Sequence, residues 1–218
     1  MRIFSFPGFW LLAVAASLCV SLAPGPALKK QLLAARMTLT PPPGWTETPV
    51  IRNDQMDYDY ALRYPSHQLE VRYAVRPLTD MLAEYARSKT KKNVTMVDPN
   101  RMYETLFRTI VLNVGMGAQT GSDMAAGFSK PLQTFPPAAV KAEFGADWGA
   151  TALLEPGPEF GQTYKHCLLV GLHKNGAADA YCFYLFDDQK DLADVVFGDP
   201  AKAAFHSLRF QPATPAKK

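Results

Sequence analysis

The stretch Tyr58-Asp59-Tyr60-Ala61-Leu62-Arg63-Tyr64-Pro65-Ser66-His67-Gln68-Leu69-Glu70-Val71-Arg72-Tyr73-Ala74-Val75-Arg76 decides the fold class. Tyr58, Tyr60, Leu62 and Tyr64 alternate with Asp59, Ala61 and Arg63; beyond Pro65-Ser66-His67-Gln68, Leu69, Val71, Tyr73 and Val75 alternate with Glu70, Arg72, Ala74 and Arg76. A period of two belongs to a strand, and a polar break with proline between two such runs marks a β-hairpin. Pairing Tyr64 with Leu69 sets Tyr60 opposite Tyr73 and Arg63 opposite Glu70, and both cross-strand pairs favour that register. The expected hairpin has one apolar and one polar face.

A second hairpin, over residues 163–172 and 178–186, is apolar on both sides. Leu168, Val170, Leu172, Tyr181, Phe183 and Leu185 are assigned to one side, and Cys167, Leu169, Cys182, Tyr184 and Phe186 to the other. Strands without a polar face are covered twice and lie centrally. The predicted class is therefore α+β, an antiparallel sheet covered by helices in an α/β/α sandwich. If Leu172 faces Ala177, Cys167 lies directly opposite Cys182. If Asn175-Gly176 forms a two-residue turn, the cysteines are diagonal neighbours. Either register puts both thiols on one side, so a Cys167–Cys182 disulfide is expected in an oxidising compartment. Two buried free cysteines are the plain alternative.

Around these hairpins, residues 37–40 read as a short strand that Pro41-Pro42-Pro43-Gly44-Trp45 turns sharply. Thr79 or Asp80 caps a helix with Met81, Leu82, Tyr85 and Ala86 on its apolar face. Asp98-Pro99 opens another helix, with Met102, Leu106 and Ile110 at helical spacing and Gly115 as its stop. A glycine-rich loop spans residues 115–127. Pro136-Pro137 starts a helix that Gly145 ends. Residues 150–155 read as a strand, Asp187-Asp188 as the cap of a helix to about Phe197, and residues 207–210 as a closing strand.

The N-terminus has the layout of a secretory signal, with Arg2 ahead of an apolar stretch over residues 3–23. Cleavage is expected after Ser21 or after Ala27. The stretch is also long enough for an uncleaved anchor, and Lys29, Lys30 and Arg36 behind it leave a reversed orientation open. The expected organisation is a signal peptide or membrane anchor over 1–27, a short helical or linker segment over 28–36, one domain over 37–211 and a polar tail over 212–218. The expected localisation is exported, periplasmic or secreted, with membrane attachment only through an uncleaved leader.

A net charge of +3 with scattered basic residues argues against nucleic acid as a partner. The one dense basic run, Arg87-Ser88-Lys89-Thr90-Lys91-Lys92, reads as a solvated helix end. No Gly-x-Ser-x-Gly, HExxH, P-loop or EF-hand spacing occurs, and no cofactor or metal is expected. His67 and His173 fall in hairpin turns and are expected to be exposed; His166 is expected to be half-buried on a strand. The candidate ligand or partner surface is Gly115, Gly117 and Gly121 of the loop with Trp148 and His166. Asn93-Val94-Thr95 is a glycosylation sequon, which matters only on a eukaryotic secretory route.

A strand ending in Pro43-Gly44-Trp45, a following meander, and a closing helix into Phe205-His206-Ser207-Leu208-Arg209-Phe210 resemble the PsbP-like fold. The resemblance covers the two ends of the domain and its element order, and the segment 101–146 is long for the simplest version. It implies an antiparallel sheet between helices and a binding or assembly role, with no active-site residues to carry over. The functional expectation is a non-enzymatic binding or accessory module of the cell envelope or secreted space, its partner an unidentified protein or small ligand. An envelope hydrolase using His166 and the glycine-rich loop, or a toxin-neutralising or stress-protective protein, are the alternatives.

Overall fold

The computed structural model describes residues 25–115, 132–198 and 204–212. Its centre is a seven-stranded sheet in the order β2 (Thr46–Glu47), β3 (Tyr60–Tyr64), β4 (Leu69–Pro77), β8 (Ala178–Phe186), β7 (His166–Lys174), β6 (Trp148–Leu154), β5 (Gln133–Thr134), with every neighbouring pair antiparallel. The first hairpin, β3–β4, has the expected register: Tyr64 faces Leu69, Arg63 faces Glu70 and Tyr60 faces Tyr73. Both edge strands are two residues long, which limits the unpaired backbone offered to another chain. A separate two-stranded sheet joins the ends of the domain, β1 (Met37–Leu39) with β9 (Leu208–Phe210).

Two cores sandwich the sheet. On one face Leu62, Val71, Tyr73, Val170, Cys182 and Tyr184 pack under α1 (Pro26–Ala34), α4 (Pro137–Phe144) and the small sheet. On the other face Ala74, Leu169, Cys167 and Phe183 pack under α3 (Tyr103–Val114) and the one-turn α5 (Pro158–Gly161), through Phe107, Ile110, Val114 and Phe160. The result is the expected α+β sandwich in one domain. The remaining helices are peripheral: α2 (Thr79–Ser88) buries only Ser88, and α6 (Gln189–Asp191), capped by Asp188, runs into a π turn over Leu192–Val196. Asp98 caps a 3₁₀ turn, Pro99–Arg101, ahead of α3.

Three expectations change. The supposedly polar face of the first hairpin is buried: Ala61, Glu70, Arg72 and Ala74 lie beneath Tyr58, Phe160 and Tyr164. Alternation marked the strands correctly, but the side carrying charge became a second interior because Arg72 and Glu70 neutralise each other there. The segment 28–36 is helical, one of its two expected readings, and contains most of α1; what changes is its place, since buried Leu28 and Leu32 dock it on the core and not ahead of a domain that starts at 37.

The third correction concerns the second hairpin. Lys174 pairs with Ala178 across a three-residue loop, Asn175-Gly176-Ala177, with Gly176 left-handed at φ 70° and the Ala177 N–H donating to the Lys174 carbonyl at 3.0 Å. Cys167 therefore faces Leu185, and Cys182 faces Val170. A one-residue change of register flips a strand's side chains to the other face, so the two thiols lie in opposite cores. Both are free, and the expected Cys167–Cys182 disulfide does not form.

Candidate binding grooves

The loop between β2 and β3 is organised by its own polar side chains. Asn53 Oδ1 accepts from the N–H groups of Gln55 (3.0 Å) and Met56 (2.9 Å), an Asx-type turn. The Ile51 N–H donates to the Tyr58 hydroxyl at 2.7 Å. Asp59 ties the loop to the sheet and to α1: Oδ2 accepts from the Val75 N–H and from Arg76 Nη1, each at 2.7 Å, and Oδ1 from Gln31 Nε2 at 3.0 Å. Arg76 Nη2 donates to the Asp57 carbonyl at 2.6 Å. Gln55 Oε1 accepts from the Phe160 N–H at 2.7 Å, which fastens the loop to α5.

These bonds hold open two adjoining hollows that share Arg52, Asp57 and Arg76. One, of about 410 Å³, lies between the loop and Gln31 of α1; the other, of about 610 Å³, is walled by the loop and Arg76. Arg52, Asp54 and Asp57 are exposed, and their side chains make no hydrogen bond or ion pair among the described residues. Val50 and Ile51 stand exposed on the rim. A preformed polar groove with unspent charges of both signs and apolar rim residues suits recognition of another molecule.

A separate opening of about 520 Å³ shares no wall residue with these hollows. Lys141 and Gly145 at the end of α4, Lys174 at the β7–β8 tip, and Arg209 and Phe210 of β9 wall it.

Elsewhere several titratable groups pair with one another, although Arg72 Nη2 is buried with no hydrogen-bond partner among the described residues. Arg72, 1% exposed, donates through Nε to Glu70 Oε1 at 2.6 Å and through Nη1 to the Phe160 carbonyl; its guanidinium lies between the Tyr58 and Phe160 rings, 4.9 and 4.8 Å from their centroids. The Tyr164 hydroxyl donates to Glu70 Oε2 at 3.3 Å. His173, expected to be exposed, is 1% exposed instead. It lies on the inner side of β7, with Nδ1 2.7 Å from Asp179 Oδ1 and Nε2 3.3 Å from Asn175 Oδ1, under the stacked ring of Tyr103. His206 meets Glu143 at 3.0 Å and His67 meets Asp191 at 2.7 Å. Burial pushes the Cys182 thiol up to about 12 and Cys167 further still. Both thiols stay protonated and make poor nucleophiles.

The candidate surface drawn from the sequence is not brought together. Trp148 begins β6 opposite His173 and packs on Tyr103 and Phe107. His166 begins β7 at the other end of the sheet, its ring 5.4 Å from that of Phe186. The β6–β7 register runs from Trp148↔His173 to Leu154↔Cys167, so about 20 Å of strand separates them. Gly115 closes α3 and bridges to Pro156, towards the His166 end. Gly117 and Gly121 lie outside the described residues. The one sequence signal for the β2–β3 loop is Asn53-Asp54, a turn-forming pair ahead of the Tyr58 strand.

Compared with known proteins, the chain matches no family model, no curated protein and no solved structure. Among the described residues, no helix is long and apolar enough to cross a membrane and no group of three or more His, Cys, Asp or Glu is placed to hold a metal ion.

Proposed function

We propose that this protein is a non-enzymatic binding or accessory module of the cell envelope or secreted space, which meets its partner at the groove of the β2–β3 loop. One observation carries the reading: the side chains of Arg52, Asp54 and Asp57 have no hydrogen-bond or ion-pair partner among the described residues, around hollows that the bonds of Asn53, Tyr58 and Asp59 keep preformed. Unpaired charge on a rigid wall costs little ordering entropy when a partner supplies the counter-charge. The leader layout of residues 1–27 supports export, and the resemblance to the PsbP-like fold supports binding or assembly.

The test places a photo-crosslinking amino acid at exposed Ile51 in expressing cells, with exposed Val97 as the control position. The reading expects a defined adduct in the envelope fraction or medium from position 51, absent from position 97 and lost when Arg52→Glu and Asp57→Lys are added. Adducts that form equally at both positions, or survive the charge reversal, overturn it.

A further inference from the structure

The opening between α4, the β7–β8 tip and β9 has a charge pattern unlike that of the loop groove. Three cations from three separate parts of the chain converge on it, Lys141 from α4, Lys174 from β7 and Arg209 from β9. Asp147 is the one acidic residue among the described wall residues. Its Oδ2 is engaged, accepting from the Asn175 N–H at 2.9 Å and from Asn175 Nδ2 at 3.2 Å.

The cations are only partly used. Lys174 Nζ donates to the Gly145 carbonyl, and Arg209 Nη2 donates to the Ala142 carbonyl at 3.3 Å. An ammonium has three donors and a guanidinium five, so among the described residues most are unengaged. Lys141 makes no hydrogen bond or ion pair among the described residues. The carbonyl end of α4 is a competing explanation, because a helix C-terminus attracts cations. That end carries about half a negative charge. Together with Asp147 it offsets half of the three positive charges and leaves a net of about one and a half. Helix capping alone does not account for the surplus.

Shape and apolar surface point the same way. The volume of about 520 Å³ suits a small molecule. Phe210 and Pro212 give the wall an apolar part, and Lys174 Nζ lies 5.5 Å from the centre of the Phe210 ring, which holds the ammonium at the opening.

We infer that this cleft binds a small anionic molecule through an oxyacid group, with Lys141, Lys174 and Arg209 as the anion-recognising residues. The planar fork of Arg209 suits the two oxygens of a carboxylate or phosphate. The apolar wall at Phe210 and Pro212 receives the uncharged remainder of the ligand. None of these residues belongs to the loop groove, so this inference and the proposed function stand or fall separately.

Calorimetric titration of the purified protein at constant ionic strength tests it, with inorganic phosphate and citrate as separate probes. The expected result is saturable binding of at least one. Phosphate binding assigns a phosphate-bearing ligand and citrate binding a carboxylate-bearing one; binding of both assigns a site for oxyanions in general. Lys141→Glu is expected to weaken binding by about tenfold or more, since it removes one charge-assisted contact and adds repulsion. Because Lys141 is exposed and bonded to nothing described, this variant should still fold, its melting temperature lowered only slightly by the reversed charge in the last turn of α4. Arg209→Gln provides a second loss variant should Lys141→Glu fail to fold. Failure of both probes to saturate, or unchanged affinity in the folded variants, overturns the inference.

Discussion

Nδ1 of His173 lies 2.7 Å from Oδ1 of Asp179, with both side chains buried, at a directly opposed pair of residues in β7 and β8. This contact has consequences along the whole hairpin. Moving the strands by one residue would place His173 opposite Ala178 and leave Asp179 buried without its partner. A buried charge stripped of its partner is costly, so the pair selects the three-residue loop over the two-residue turn. The same register sends Cys167 and Cys182 to opposite faces.

The thiols should therefore stay reduced and inert in the native protein. A thiol reagent at pH 8 is expected to label neither Cys167 nor Cys182 appreciably until denaturant is added, and then to label both of these. Reductant should leave the melting temperature unchanged. Folding holds the Cys182 thiol at about 12 against an ordinary 9.0, through desolvation. Above pH 9 the unfolded chain releases this proton and the folded one retains it, so stability falls as pH rises from about 9 towards about 12. A melting temperature that rises over that range would refute this account.

Breaking the buried pair beneath α5 should destabilise the fold strongly. Arg72→Met leaves the Glu70 carboxylate buried with only Tyr164 and the more distant Arg63, 3.5 Å away. The expected loss is about 3–5 kcal/mol. Adding Glu70→Leu to Arg72→Met should recover much of it, because no unpaired charge then remains. Denaturant unfolding of the two variants and of Glu70→Leu alone completes the cycle.

Gly171 is required by a neighbour. A Cβ there would overlap the Phe107 ring of α3. Gly171→Ala is expected to cost about 1–3 kcal/mol through overpacking, and Phe107→Leu in the same chain should relieve part of that. If the two substitutions simply add in denaturant unfolding, the close approach of α3 to β7 is not the cause.

The domain should begin ahead of residue 28. Leu28 and Leu32 are buried against the main core, and the Lys29 N–H donates to the Gly25 carbonyl in the first turn of α1. A chain starting at Met37 loses both leucines, each worth about 1.5–3 kcal/mol of burial, and should melt well below one starting at Leu22. A chain starting at Leu28 should fall between them, since it keeps the leucines but lacks Gly25 and Pro26. Thermal unfolding of the three truncations reads the order.

Much of the architecture was legible because several local signals agreed. In the first hairpin, alternation, the Pro65-Ser66-His67-Gln68 turn and the Arg63–Glu70 pair all specify one register, and β3–β4 has it. Pro137 and left-handed Gly145, at φ 65°, bound α4 as their backbone preferences require. The candidate grooves were less legible. Their walls combine residues far apart in the chain, Gln31 with Arg76 in one and Lys141, Lys174 and Arg209 in the other, and no local spacing marks such a set.

What the sequence by itself determined was the class of fold, the first hairpin with its register, and the central place of the second, since each follows from periodicity and turn chemistry within a short stretch. The tertiary structure alone decided the register of the second hairpin, the fate of the cysteines and the burial of Arg72. Both faces of β7 and β8 are apolar, so a one-residue slip leaves the hydrophobic pattern equally satisfied. The choice passed to contacts that form only in the assembled core: His173 with Asp179, Phe107 over Gly171, and Phe160 and Tyr58 around Arg72.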